Sequence, residues 1–213
     1  MSGHVTSVNV GRPAPLATGR RIVESAIGKA PVEGPVAVRG VNLAGDEQAD
    51  KANHGGPDQA VYAYASEDAA FWSDVVGREL APASFGENLT LAGVDVSGAR
   101  IGERWRIGSA ELRVAGPRVP CFKLEARIGV PGFQRAFLHA GRPGAYLAIV
   151  QEGELQAGDA VEIVHRPEHA VTVALVIEAL ILDRSRVPEL APARADMLPK
   201  LAAWHEEMQE KAA

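Results

Sequence analysis

A single cysteine, Cys121, stands among 213 residues. One thiol excludes an intramolecular disulfide, a CxxC zinc site and an iron–sulfur cluster held by this chain alone. Long apolar runs are missing too, and nothing approaches the ~20 residues that a membrane-spanning helix needs. The N-terminus, Met1-Ser2-Gly3-His4-Val5, lacks the basic region and apolar core of a secretory signal. Positive charge is scarce: 22 lysines and arginines face 27 aspartates and glutamates, a formal charge of −5. A dedicated nucleic-acid binder is normally basic. These absences describe a soluble, cytoplasmic chain with no membrane and no nucleic-acid partner. There is no internal repeat and no low-complexity tract.

What is present comes in two styles. Up to Pro167, short apolar runs are cut by glycine and proline, which favours a mainly β barrel or sandwich. Val5, Val8 and Val10 lie in one such run, ended by Gly11-Arg12-Pro13. Residues 20–27, 35–38, 59–65, 145–150 and 161–164 read as further strands. Residues 104–107 and 110–114, joined by Gly108-Ser109, read as a hairpin. Ser66 is a candidate N-cap, with Glu67 and Asp68 in the first turn and Phe71, Trp72, Val75 and Val76 forming an inward face. Residues 122–128 and 133–139 suit short helices. Beyond Pro167 the spacing is helical over 171–182, broken around Pro188 and Pro192, and resumed from Pro199. Leu198, Leu201, His205 and Met208 share one face there, and His205 reads as packing. The prediction is a β-rich domain over 1–167 and a small three-helix appendage over 168–213.

Two polar stretches carry side chains able to do chemistry. In Pro117-Arg118-Val119-Pro120-Cys121-Phe122-Lys123-Leu124, two prolines fix φ and bias their predecessors toward extended shapes. A cysteine on such a stiff loop, beside an arginine, suits a ligand or a nucleophile. A buried structural thiol suits it as well. The other stretch is Gly45-Asp46-Glu47-Gln48-Ala49-Asp50-Lys51-Ala52-Asn53-His54-Gly55-Gly56-Pro57-Asp58. Its Gly-Gly pair lets backbone N–H groups approach an anion, and it equally suits a solvated turn. Glu87 and Asn88 open a strand, where they either cap the turn or face a pocket.

The order Gly45-Asp46-Glu47-Gln48, His54-Gly55-Gly56-Pro57-Asp58, Gly86-Glu87-Asn88-Leu89, Ile101-Gly102 and Pro117-Arg118-x-Pro120-Cys121-x-Lys123-Leu124 resembles the MOSC domain. That module was first named from the C-terminus of molybdenum cofactor sulfurase. The helical tail resembles the three-helix extension of the family's stand-alone bacterial YiiM-like branch. The resemblance implies a β-barrel of mostly antiparallel strands, with the three-helix extension appended. It implies molybdenum cofactor (molybdopterin), with Cys121 as the metal ligand. It also implies reduction of N-hydroxylated compounds, such as N-hydroxylaminopurines, to amines, with two electrons and two protons consumed and water released.

On that reading Cys121 and His54 are the catalytic pair, His54 holding the cofactor or relaying a proton. Thiolate is a soft donor suited to a transition metal. Arg118 offers a planar fork of donors to a phosphate. Lys51, Lys123 and Arg142 add positive charge, the Gly55 and Gly56 amides meet the pterin or phosphate, and Asn88 borders the cofactor. The missing cysteines imply a separate flavoprotein or ferredoxin-type electron donor. The alternatives are a persulfide sulfur carrier on Cys121 and a protein that carries the cofactor without turning over a substrate.

Overall fold

Alternating and fully apolar stretches of valine, alanine and leucine build most of the molecule. The computed structural model describes residues 3–19, 21–49 and 55–212. The strands are β1 (His4–Val10), β2 (Ala14–Thr18), β3 (Arg21–Ser25), β4 (Ala30–Val32), β5 (Val36–Arg39), β6 (Asn42–Leu43), β7 (Val61–Ala65), β8 (Leu89–Ala92), β9 (Arg104–Ile107), β10 (Ala110–Pro117), β11 (Ala145–Gln151), β12 (Gly153–Leu155) and β13 (Val161–His165). The α-helices are α1 (Ser66–Val76), α2 (Phe122–Ile128), α3 (Phe133–His139), α4 (Val173–Ile177) and α5 (Pro199–Ala212).

Eight strands form one sheet in the order β13-β9-β10-β11-β7-β8-β1-β4. Its pairs are antiparallel except β7 with β8. A parallel pair needs a crossover, and α1 lies on that connection. β1 also meets the far end of the sheet. His4 bridges Ala160, the Val5 amide donates to the Asp159 carbonyl at 2.9 Å, and the Val161 amide donates to the Gly3 carbonyl at 2.8 Å. The two ends thus come together in the mostly antiparallel, barrel-like arrangement expected. β5, β6 and β12 form a small second sheet, and β2 with β3 a separate ribbon. The predicted hairpin is β9–β10. Gly108 turns it with φ of +58°, where an added Cβ would lie 2.3 Å from the Glu154 carbonyl oxygen.

The main core gathers Val5, Val8, Leu89, Leu91, Trp105, Leu112 and Leu147. It continues into the tail through Val173, Val176, Leu190, Ala193 and Ala202. The boundary near Pro167 therefore marks a change of secondary structure, while the apolar core is continuous across it. A second core packs Trp72, Phe133 and Phe137 against Tyr64 and Phe85, with the Tyr64 and Phe85 rings stacked at 4.3 Å.

Two details of α1 differ from expectation. β7 runs directly into it, so Ala65 takes the cap position and the Ser66 hydroxyl meets Glu67 at 3.1 Å. Its aromatic pair is also split. Consecutive helical residues point about 100° apart, so Trp72 is 2% exposed while Phe71 is 38% and Val75 59% exposed. In the tail, α4 runs on through a π-helical turn over 178–182, a 3-10 stretch containing Pro188 and Pro192 follows, and α5 completes it. His205 is buried, as predicted. Among the described residues, no helix is long and apolar enough to cross a membrane.

Candidate active site

β10 ends at Pro117, and four residues later Cys121 caps α2 in an extended conformation, φ −118° and ψ 171°. The loop is pinned from outside, because the Gln134 side-chain amide donates to the Pro120 carbonyl at 3.0 Å. The Cys121 carbonyl accepts from the Leu124 amide at 2.9 Å. This leaves Cys121 half-buried and bordering two cavities, one polar, of about 100 Å3, and one largely apolar, of about 560 Å3.

The polar cavity brings together the two stretches singled out in the sequence. Asp46, Gln48, Ala49 and Gly55 come from one, Arg118, Cys121 and Lys123 from the other. Arg118 is 7% exposed. It donates to the Phe85 carbonyl, and its guanidinium carbon lies 4.8 Å from the Tyr62 ring centroid. Burial works against its charge, but Tyr62, Tyr146 and Cys121 around it outweigh that and raise its pKa. Lys29 pairs with the buried Asp46 carboxylate. Burial lowers the Lys29 pKa despite the pull of Asp46.

Asp46 is fixed twice more, by the Gly11 amide at 2.8 Å and the Asn88 side-chain amide at 3.0 Å. Asn88 also accepts from the Tyr62 amide at 3.1 Å and donates to the Asn9 carbonyl at 3.2 Å. Asn88 therefore both organises the backbone and borders the cavity. Glu87 belongs to the turn instead. Its carboxylate accepts from the Ala83 amide at 2.7 Å and the Phe85 amide at 3.0 Å. Ala83 has φ of +70°, a conformation non-glycine residues rarely adopt, and Glu87 holds it there.

Among the other predicted residues, Gly55 lines the polar cavity with φ of +89°; a Cβ there would sit 2.9 Å from the Gln48 side chain. Gly56 caps the short 3-10 turn Pro57–Gln59 and lines neither cavity. Lys51 and His54 lie outside the described residues. Lys123 borders both cavities. Arg142 does not join the group. It pairs with Asp68, and its guanidinium carbon lies 4.5 Å from the Phe71 ring centroid. The sequence reading gave no site role to Lys29, Tyr62 or Tyr146, which also line the polar cavity. None of them carried a signal of its own: Lys29 takes its meaning from Asp46, 17 residues away.

The apolar cavity lies between the cysteine loop and the tail. Phe122 and the two loop prolines line one side, and Leu180, Leu198, Leu201 and Trp204 come from the tail.

A family model described as the MOSC domain matches residues 50–162. "Uncharacterized protein YflK" of Bacillus subtilis (strain 168) is 37% identical over 169 residues, which is 79% of this chain and 76% of that protein. "Protein YiiM" of Escherichia coli (strain K12) is 34% identical over 146 residues, covering 67% of this chain and 65% of that protein. A protein named "Reductase" from Gibberella moniliformis is 31% identical over 78% of this chain, which spans only 30% of that longer protein. The crystal structure of YiiM from Geobacillus stearothermophilus superposes with a TM-score of 0.80 at 27% identity, covering 97% of this chain and 98% of that one.

Proposed function

The chain belongs to the MOSC-domain family, in its YiiM-like branch, and from that premise we propose that it is a molybdenum-cofactor-dependent reductase of N-hydroxylated compounds. The observation that carries the proposal is the position of Cys121, between a cavity lined by buried cations and a cavity lined by apolar side chains. The name of the fungal relative supports a reductase.

The donor set fits the cofactor. Among the described residues, no three His, Cys, Asp or Glu side chains cluster to hold a bare metal ion. A metal that arrives with its own pterin sulfur ligands needs little more than one soft protein donor, and Cys121 is the chain's one thiol. Lys29, Asn88, Arg118 and Lys123 suit an anionic group. Arg118 has five N–H donors, so its Phe85 contact leaves several for a phosphate. A volume of about 100 Å3 takes a phosphate-sized group and not a whole pterin, so these residues match the cofactor's anionic end.

When bound, the cofactor supplies the two-electron chemistry that converts N–OH to N–H. The chain's own residues do the rest. Asp46 and Asn88 keep Lys29 and the Tyr62 strand in place. Arg118 is held charged at the base of the cavity. Lys123 borders both cavities and can offer charge or a proton to a leaving oxygen. The electrons come from a separate redox protein.

Wild type and Cys121→Ser, produced in a cofactor-making host, test this through molybdenum and pterin content per chain and turnover of 6-N-hydroxylaminopurine with reduced viologen. Near-stoichiometric cofactor and turnover are expected for wild type only. Loaded wild-type protein that leaves N–OH compounds intact would overturn the reductase reading. Sulfane sulfur on Cys121 without molybdenum would establish the sulfur carrier instead.

A further inference from the structure

We infer that the face built by the β2–β3 ribbon and α2, beside the cysteine loop, is the docking surface for a small acidic redox protein that delivers the electrons. The need for those electrons rests on the reductase reading; the binding of an acidic protein to this face does not.

Charge is spread unevenly over this chain. Residues 12–29 and 118–135 together hold eight of its 22 lysines and arginines, and only two of its 27 aspartates and glutamates. The two segments meet in the fold, where β2 packs against α2. The result is a basic corner on an acidic molecule. Lys29 and Arg118 belong to its buried part, held by Asp46 and the Phe85 carbonyl. Arg21 and Arg127 are exposed and Lys123 is half-buried, with Lys123 and Arg127 one turn apart on α2. Elsewhere surface arginines are matched: Arg106 meets Glu162, Arg186 meets Glu178 and Glu189, and Arg194 meets Glu206. Arg21, Lys123 and Arg127 meet no carboxylate among the described residues. The two acids of this corner are Glu24, exposed on β3, and Glu125, whose carboxylate accepts from the Gln134 amide at 3.2 Å. Unmatched cations gathered on one face steer and orient an anionic partner.

The same face is apolar at its centre. Ile22 on the ribbon is 75% exposed, and Val119 and Phe122 are exposed to either side of Cys121. A groove of about 690 Å3 runs between ribbon and helix, lined by Val23, Phe122, Ala126 and Val130 together with Arg21 and Glu125. Apolar side chains set among cations have the make-up of a protein interface, with an apolar core and a polar rim. Phe122 lines both this groove and the apolar cavity beside Cys121, so a protein seated on the groove lies one side chain from the thiol loop. That placement selects a redox protein. One cysteine gives this chain no iron–sulfur cluster of its own. Each N–OH reduced takes two electrons from the donor and two protons from water, and releases one water.

The test compares wild type, Arg127→Glu, Arg21→Glu/Arg127→Glu and Arg106→Glu. Arg106 is the control, because it pairs opposite Glu111 at the end of β10 remote from Pro117. Reduced flavodoxin and reduced [2Fe–2S] ferredoxin serve as acidic protein donors for 6-N-hydroxylaminopurine turnover, and reduced viologen serves as the small donor that needs no docking. Binding of oxidised flavodoxin is titrated at low salt with the same proteins. The protein-donor rate should fall about 10-fold or more in the double variant, less in Arg127→Glu, and less than twofold in Arg106→Glu. The wild-type rate should fall as salt rises, and viologen turnover should stay within twofold in every variant. A double variant served by both protein donors as fast as wild type would overturn the inference. So would an equal loss with viologen, which would assign the cations to cofactor or substrate. Failure of both proteins to reduce a wild type that viologen reduces would overturn it too. Phosphatidylserine vesicles that bind wild type and not the double variant, with protein-donor rates unchanged, would assign the face to a membrane. If viologen drives no N–OH reduction, the reductase reading fails, and the flavodoxin titration still decides whether an acidic redox protein docks here.

Discussion

Cys121 borders two adjoining cavities of different make-up. On the polar side the buried charges, Asp46, Lys29 and Arg118, are fixed by the surrounding fold. Asp46 holds the Gly11 amide, the Lys29 ammonium and the Asn88 amide, and Arg118 holds the Phe85 carbonyl. These contacts tie residues far apart in the chain, so the site and the fold share one network. On the apolar side Leu180, Leu198, Leu201 and Trp204 contribute surface, and their trimming leaves no buried polar group unpaired. Buried polar groups that lose a partner cost far more than apolar ones that lose a neighbour's edge. Substitutions on the polar side should therefore disturb folding and binding together, and substitutions at or beyond the thiol should separate them.

The sharpest separation is expected for Cys121→Ser. Serine is nearly isosteric, so the stability change should be about 1 kcal/mol or less. Its neutral hydroxyl is a poor ligand for a soft metal, so turnover should be lost. Melting curves and activity on the same preparation check this. Retained turnover with molybdenum still bound would show that the thiolate is not needed.

Arg118→Met should show the opposite behaviour. It strands the Phe85 carbonyl and removes the cation over Tyr62, at about 2–4 kcal/mol. The denaturant midpoint should fall with an unchanged slope, and the remaining folded protein should carry little cofactor. An undisturbed midpoint would break the contrast between the two cavities.

A subtler signature is expected at Lys29. Its pKa is lowered by burial, against the attraction of Asp46. Between that lowered value and 10.5 the unfolded chain binds more protons than the folded one, so stability should rise with pH across the window. The stability of wild type relative to Lys29→Met should accordingly increase as pH approaches 10.5 from below. A flat difference would mean that Lys29 is solvated like a surface lysine.

The parts of this molecule legible in the sequence were those specified locally. Proline, glycine and β-branched residues mark the strands, and Pro117, Pro120 and the Gly55-Gly56 pair mark both site loops. Lys29 was not legible because Gly28-Lys29-Ala30 has no pattern of its own; Asp46 and the cavity give it meaning. Trp204 was not, because a leucine and tryptophan stripe at helical spacing reads as core. Phe71 was placed inward because the aromatic pair was read as one face. Arg142, beside Pro143-Gly144, looked available to a ligand, and its partner Asp68 lies 74 residues earlier.

Arg142 supplies the smallest expected effect and the cleanest control. It is a cation near the expected set that lines neither cavity, so Arg142→Gln should leave cofactor content and turnover within twofold of wild type. Stability is another matter. The Asp68 side chain is 9% exposed while that of Arg142 is 41% exposed, so the variant leaves a mostly buried carboxylate without its cation, at about 1–2 kcal/mol. Burial raises the Asp68 pKa, and Arg142 opposes it. Without Arg142 the pKa should rise further, and Asp68 should take up a proton at higher pH than in wild type. The pairing exists only while Asp68 is ionised, so the deficit should be full near neutral pH and shrink as acid protonates the carboxylate in both proteins. Denaturant midpoints of the two proteins across that range check the sign. A deficit that grows toward acid would show that Arg142 acts through Phe71 and not through Asp68, and loss of cofactor in the variant would return Arg142 to the polar site.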